Sequence, residues 1–114
     1  MKTIKVVESV LKANDAVAQE NRRRMDAAGV LALNLTSAPG SGKTTLLQRT
    51  MAALAPLRCA VLVGDLQTTR DAERLADTAA ELVQINTGKG CHLTATQVAD
   101  GLNNLPLERI DFLF

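Results

Sequence analysis

Nine consecutive residues, Ser37-Ala38-Pro39-Gly40-Ser41-Gly42-Lys43-Thr44-Thr45, set two closely spaced glycines beside a lysine and two hydroxyls. Phosphate oxygens need several donors at short range, and a loop rich in Cβ atoms would keep them away. Gly40 and Gly42 let the backbone curl around an anion with successive N–H groups turned inward, and Ser41 between them adds a hydroxyl. A helix opening near Lys43 would bring the positive end of its dipole to the same point. In such a loop Lys43 reaches the β- and γ-phosphates, Thr44 ligates Mg²⁺, and Thr45 completes the cradle. The general pattern is G-x-x-x-x-G-K-[ST], and Ser37 stands where its first glycine would be. A plain turn is the competing reading of any Gly/Ser/Pro cluster. The strand-like run before this one and the helix-like run after it favour a nucleoside triphosphate site.

Two more segments carry polar chemistry. Asp65 follows an apolar run directly, in Gly64-Asp65-Leu66-Gln67-Thr68. A carboxylate there can hold Mg²⁺, directly or through water, or orient the water that attacks the γ-phosphorus; a turn or capping aspartate is the alternative. Gly88-Lys89-Gly90-Cys91-His92 joins the single histidine to one of two cysteines. A thiolate and an imidazole suit Ni²⁺ or Zn²⁺, yet two ligands do not complete a site. The rest would come from further sequence or from a second subunit across a two-fold axis, unless the pair is a chance neighbour in a glycine-rich loop. Cys59 opens an apolar run at the far end from these loops and reads as a small buried filler.

The elements that must position these loops are legible from periodicity. Ile4, Val7, Leu11 and Ala18 fall at helical spacing among charged residues, so 5–28 reads as one amphipathic helix, ended by Gly29. Residues 30–36 are too uniformly apolar for a strand edge facing water and read as a first buried strand. A helix over about 43–54 stops before Pro56, and 59–63 is a second strand. Helix 71–80, strand 82–85, and a helix from a Thr94/Gln97 capping box to Leu102 follow, and a last strand spans about 109–114. Strands alternating with helices imply a parallel sheet, which binds ligands beyond the carboxyl ends of its strands. The three polar loops are then expected on one edge. The reading divides the chain into an N-terminal helix, 1–29, and an incomplete α/β P-loop domain, 30–114.

Bulk properties narrow the function. The chain has 114 residues, 46% of them hydrophobic, and a formal net charge of +1, which gives no argument for nucleic acid or an anionic membrane. No apolar run is long enough for a membrane span, and two cysteines in unlike contexts suggest free thiols and a cytoplasmic setting. The only aromatic residues are Phe112 and Phe114, so the core is expected to be aliphatic. Residues 110–114 read as a buried strand broken off in mid-run, the mark of a piece of a longer protein, with an exposed sheet edge at that strand.

With its loops placed, the chain resembles the hydrogenase nickel-incorporation GTPases of the HypB type, in the SIMIBI-like branch of P-loop proteins. The matching stretches are 37–46, Gly64 to Thr68 with Asp71-Ala72-Glu73-Arg74, and the specific run Gln84-Ile85-Asn86-Thr87-Gly88-Lys89-Gly90-Cys91-His92-Leu93. Lys5-Val6-Val7-Glu8 and Leu11-Lys12-Ala13-Asn14-Asp15 are also similar to that family's leading helix. The resemblance implies a GTPase that dimerises with nucleotide and passes nickel toward [NiFe]-hydrogenase. Its partners would be a nickel-handling accessory protein and the hydrogenase large-subunit precursor. Gly40 to Thr45 would hold GTP, Lys43 and Asp65 would serve hydrolysis, Thr44 and Asp65 would serve Mg²⁺, and Cys91 and His92 would ligate Ni²⁺ or Zn²⁺ between subunits. The guanine-reading segment of that family has no counterpart in this sequence, so the base assignment rests on the resemblance alone. Two alternatives stand beside it: a urease-accessory-type P-loop NTPase, disfavoured by the absence of a proline between Cys91 and His92, and a non-catalytic module that binds nucleotide or metal.

Overall fold

A computed structural model describes residues 2–35, 42–64, 69–85 and 93–114, with side-chain surroundings from residue 11 onward except at 69 and 70. Helix α1, Lys2–Ala28, stops where Gly29 takes φ 72°. There the Val30 N–H donates to the Met25 carbonyl (2.9 Å), the closure of a helix by a left-handed residue that glycine adopts without steric cost. The chain turns directly into β1, Leu31–Ala32. After it come α2, Lys43–Leu54; β2, Cys59–Gly64; α3, Thr69–Thr78; and β3, Glu81–Ile85. The last elements are α4, Ala95–Leu102, a short 3₁₀ turn at Leu107–Arg109, and β4, Phe112–Leu113.

All strand pairs are parallel, in the order β1-β4-β2-β3. The strand expected to leave a bare edge is therefore internal. Leu33 donates to the Leu113 carbonyl (2.8 Å) on one side of β4, while Phe114 donates to Ala60 (3.0 Å) and Leu62 donates back to Phe114 (2.8 Å) on the other. The edges of the described sheet are β3 and β1, the latter against the expectation of a buried first strand. Its Leu31 is 54% exposed, and Leu33 and Leu35, which follow the strand, are also exposed. An apolar run signals burial only when a neighbour covers it, and among the described residues β1 pairs with β4 on one side alone.

Alternation along the strands divides the core in two. Ala60 and Leu62 of β2, Val83 of β3 and Leu113 of β4 pack with Met25 and Ala28 of α1 and Val98 and Leu102 of α4. Cys59, Val61 and Val63 of β2, Leu82 of β3, and Phe112 and Phe114 pack with Leu47 and Met51 of α2 and Leu75 of α3. Helices thus cover both faces of a parallel sheet, the arrangement that βαβ crossovers produce. The fully buried side chains are aliphatic, led by Leu75, Leu102 and Val61, while the two phenylalanine rings, 6.4 Å apart, remain half-buried.

Helix α1 departs from its apolar stripe. Leu11 and Ala18 are exposed, and the face that meets the body carries Val17, Asn21, Met25 and Ala28. Asn21 is 5% exposed and donates its side-chain N–H to the Ala95 carbonyl (2.9 Å), while the Asn14 side-chain oxygen accepts from the Ala95 N–H (3.1 Å). Two asparagines seven positions apart therefore grip both polar groups of the first residue of α4.

Candidate nucleotide-binding site

Helix α2 begins without a side-chain cap. Its N-cap is Gly42, at φ 89° and ψ 19°, a residue with no side chain to cap the helix. A Cβ on Gly42 would have open space around it, so the demand for glycine is set by the left-handed backbone rather than by crowding. Leu46 closes the first turn by donating to the Gly42 carbonyl (3.0 Å). The N–H groups of Lys43, Thr44 and Thr45 precede that bond, at the end of the helix where main-chain donors point outward along the axis. The dipole adds partial positive charge there. Lys43 and Thr44 are half-buried and Thr45 is exposed. Main-chain donors, an ammonium and two hydroxyls on one helix start are a fitting donor set for a phosphate chain. The Thr44 hydroxyl oxygen suits a hard cation such as Mg²⁺.

One side chain ties this helix start to the next helix. Arg74 of α3 donates through Nη2 to Thr45 Oγ1 (2.9 Å) and through Nη2 and Nε to Gln48 Oε1 (2.7 and 3.1 Å). Gln48 returns a bond from Nε2 to the Arg74 carbonyl (3.1 Å). No reading of the residues in isolation singled out this network. Its signal was present in the stretch Asp71-Ala72-Glu73-Arg74, where a cation directly precedes the buried Leu75.

Of the expected site residues, Gly42, Lys43, Thr44 and Thr45 come together at the start of α2. Gly40, Ser41, Asp65, Cys91 and His92 lie outside the described residues. The strands that deliver the last three are in place. β2 ends at Gly64, one residue before Asp65, and Gly64 lies in register with Ile85, the last residue of β3. The segment bearing Cys91 and His92 runs into a firmly held helix. Thr94 Oγ1 accepts from the Gln97 N–H (3.2 Å) and Gln97 Oε1 accepts from the Thr94 N–H (2.8 Å), which completes the expected capping box. With Asn14 on the Ala95 N–H, three main-chain donors at the start of α4 have side-chain partners. Cys59 is 3% exposed at the opposite end of β2, a packed filler as expected. Burial raises its thiol pKa, the nearby Asp111 carboxylate raises it further, and the thiol donates weakly to the Leu57 carbonyl (3.9 Å).

The profile of the family described as "CobW/HypB/UreG, nucleotide-binding domain" matches residues 31–114, from β1 through β4. The chain belongs to the CobW/HypB/UreG family. Within it, the chain is similar to the hydrogenase maturation factor HypB of Cupriavidus necator, 53% identical over 110 residues that make up 93% of this chain and 30% of the relative. It is also similar to HypB of Escherichia coli K12, 47% identical over 112 residues, 97% of this chain and 39% of that protein. The fold superposes on a crystal structure of HypB from Helicobacter pylori in complex with nickel, with a TM-score of 0.77 and 41% identity over 89% of this chain and 48% of that one. It superposes equally on HypB from Archaeoglobus fulgidus, with a TM-score of 0.79 and 31% identity over 90% of this chain and 50% of that one. The chain thus spans between a third and two-fifths of the curated E. coli relative and about half of each solved structure.

Proposed function

We propose that this chain is the nucleotide-binding portion of a GTPase that supports nickel delivery to [NiFe]-hydrogenase. The observation that carries the proposal is the start of α2, where left-handed Gly42 leads into Lys43, Thr44 and Thr45 beside a parallel sheet. The family match and the HypB relatives support the reading, and the nickel in the Helicobacter pylori structure supports the cargo.

In this reading the main-chain N–H groups around Gly40, Ser41, Gly42 and Thr45 bind the phosphates, and Lys43 neutralises the charge that grows on the γ-phosphoryl oxygens. Thr44 and Asp65 hold Mg²⁺, which when bound supplies the remaining charge compensation. Cys91 and His92 take Ni²⁺ or Zn²⁺ as two ligands of a site shared between two subunits. Both must be deprotonated to bind, so affinity rises with pH through the imidazole and thiol ranges. A GTP-dependent homodimer, an accessory protein that hands on nickel, and a hydrogenase large-subunit precursor are the partners, and the cytoplasm is the compartment. No helix among the described residues is long and apolar enough to cross a membrane.

Equilibrium titration of a fluorescent GTP analogue with Mg²⁺ tests the phosphate site. Lys43→Ala is expected to weaken binding at least tenfold, about 1.4 kcal/mol; equal affinity would remove the phosphate-loop reading. Ni²⁺ titration of the Cys91→Ala and His92→Ala variants tests the cargo. Unchanged affinity in both would remove the metal role.

A further inference from the structure

The structure assigns Arg74 a positioning role at the nucleotide site: through the Thr45 hydroxyl, its guanidinium strengthens the hold of the α2 start on phosphate and binds α3 to it. The inference rests on the proposed nucleotide reading and extends it to a residue on a different helix.

The geometry supports a relay rather than a simple brace. A threonine hydroxyl has one proton and two lone pairs. In this structure Thr45 Oγ1 accepts from Arg74 Nη2 at 2.9 Å, so its own proton remains chemically available for an acceptor such as a phosphate oxygen. A hydroxyl that accepts from a cation becomes a better donor, because each bond in a hydrogen-bonded chain polarises the next. Arginine suits the task because its planar fork is permanently charged and its direction can be fixed by a second partner. Gln48 provides that partner: its Oε1 accepts from both Nε and Nη2, and its Nε2 donates back to the Arg74 carbonyl. Gln48 lies one turn along α2 from Thr45, so the same guanidinium spans the first two turns of the phosphate-facing helix. On the other side, Arg74 sits in the middle of α3, Thr69–Thr78, whose amino end follows the Asp65 segment. Nucleotide held by Thr45 and the placement of α3 are therefore linked through one side chain.

A double-mutant cycle on affinity for the fluorescent GTP analogue with Mg²⁺ separates the relay from a brace. Arg74→Met is expected to weaken binding about fivefold in the native background and less than about twofold when Thr45→Val has already removed the hydroxyl. Equal losses in both backgrounds, or no loss in either, would overturn the relay. Melting temperature is read alongside. A brace alone predicts that affinity falls in step with stability in both backgrounds, whereas the relay predicts that the affinity loss disappears with Thr45→Val while the stability loss persists. Should Arg74→Met fail to fold, Arg74→Gln serves, since it keeps a side-chain amide beside Gln48 and removes only the charge and fork. Native chain that binds no nucleotide, with Lys43→Ala indistinguishable from it, would overturn the nucleotide reading and the relay together. Native binding lost in Lys43→Ala but showing no Arg74–Thr45 coupling would overturn the relay alone.

Discussion

Asn21→Asp exchanges one side-chain N–H₂ for an oxygen with almost no change in shape, so it tests the polar grip of α1 on α4 with packing held constant. Asn21 is 5% exposed and its amide donates to the Ala95 carbonyl at 2.9 Å. In the variant at neutral pH, a carboxylate oxygen would face that carbonyl oxygen, acceptor against acceptor. Loss of the bond costs about 1 kcal/mol, and placing a charge in a site with little water adds about 1–3 kcal/mol. Arg24, one turn further along α1 and half-buried, offsets part of the second contribution. A total of about 2–3 kcal/mol is expected at pH 7, against about 1–2 kcal/mol for Asn21→Ala.

The pH dependence makes the test specific. Burial would raise the pKa of the introduced carboxyl above its unfolded value of about 3.9. A raised pKa contributes stability that is present below the unfolded value and lost as pH climbs through the folded value. The deficit of Asn21→Asp should therefore shrink on acidification, because the protonated acid can again donate to Ala95. The recovery is about 1.4 kcal/mol for every tenfold difference in acidity between the folded and unfolded carboxyl. Urea unfolding of native chain, Asn21→Asp and Asn21→Ala at several pH values supplies the comparison. A deficit below about 0.5 kcal/mol at pH 7, or one that does not change relative to Asn21→Ala down to about pH 4, would refute the grip.

Gly101→Ala should destabilise the chain by about 1–2 kcal/mol in urea despite the better helix propensity of alanine, because the added Cβ meets both methyl groups of Leu62 and approaches Ile85 Cδ1 at 3.2 Å. A neutral or stabilising result would mean that Leu62 rotates away at no cost. Cys59, studied in a Cys91→Ala background so that a single thiol reports, should resist alkylation in the native state and react freely in urea. Its raised pKa has a second consequence. The stability it contributes is complete below the ordinary thiol range and declines as pH rises through the raised folded value, so stability should fall more steeply above about pH 8.5 than in the Cys91→Ala/Cys59→Ala variant. Parallel pH profiles would contradict that assignment.

Local signals predicted local structure well. The Thr94/Gln97 box, Gly29 after α1 and the Gly42-Lys43-Thr44 start of α2 each specify a backbone event within a few residues, and each is found where its residue types require it. Pairing partners are not local. The apolar run at residues 30–35 carries no mark that distinguishes a central strand from an edge, and residues 110–114 carry none that would place them between β1 and β2. Both readings depended on a neighbour distant in the chain. The same limit applies to Asn14 and Asn21. On a helix lined with charge nothing marks them out, since nothing in one dimension shows that Ala95 presents a carbonyl and an N–H to them. Arg74 was visible as part of a matching stretch, but its action on Thr45 spans 29 positions.

Connection lengths show why the anchoring of the helices bears on the chemistry of the loops. Residues 65–68 alone join Gly64 at the end of β2 to Thr69 at the start of α3, whereas residues 86–94 join Ile85 to α4. Fewer residues therefore separate β2 from α3 than β3 from α4. Sheet pairing fixes the strand end of both links at one level, through Gly64 and Ile85. The helix end of the longer link is pinned by α1, through Asn14 and Asn21, and carries no bond to α2 among the described contacts. The helix end of the shorter link is pinned by Arg74 to Thr45 and Gln48 on α2. The segments that bear Asp65 and Cys91-His92 thus lead into helices with different anchors, one tied to α2 through Arg74 and the other to α1 through Asn14 and Asn21.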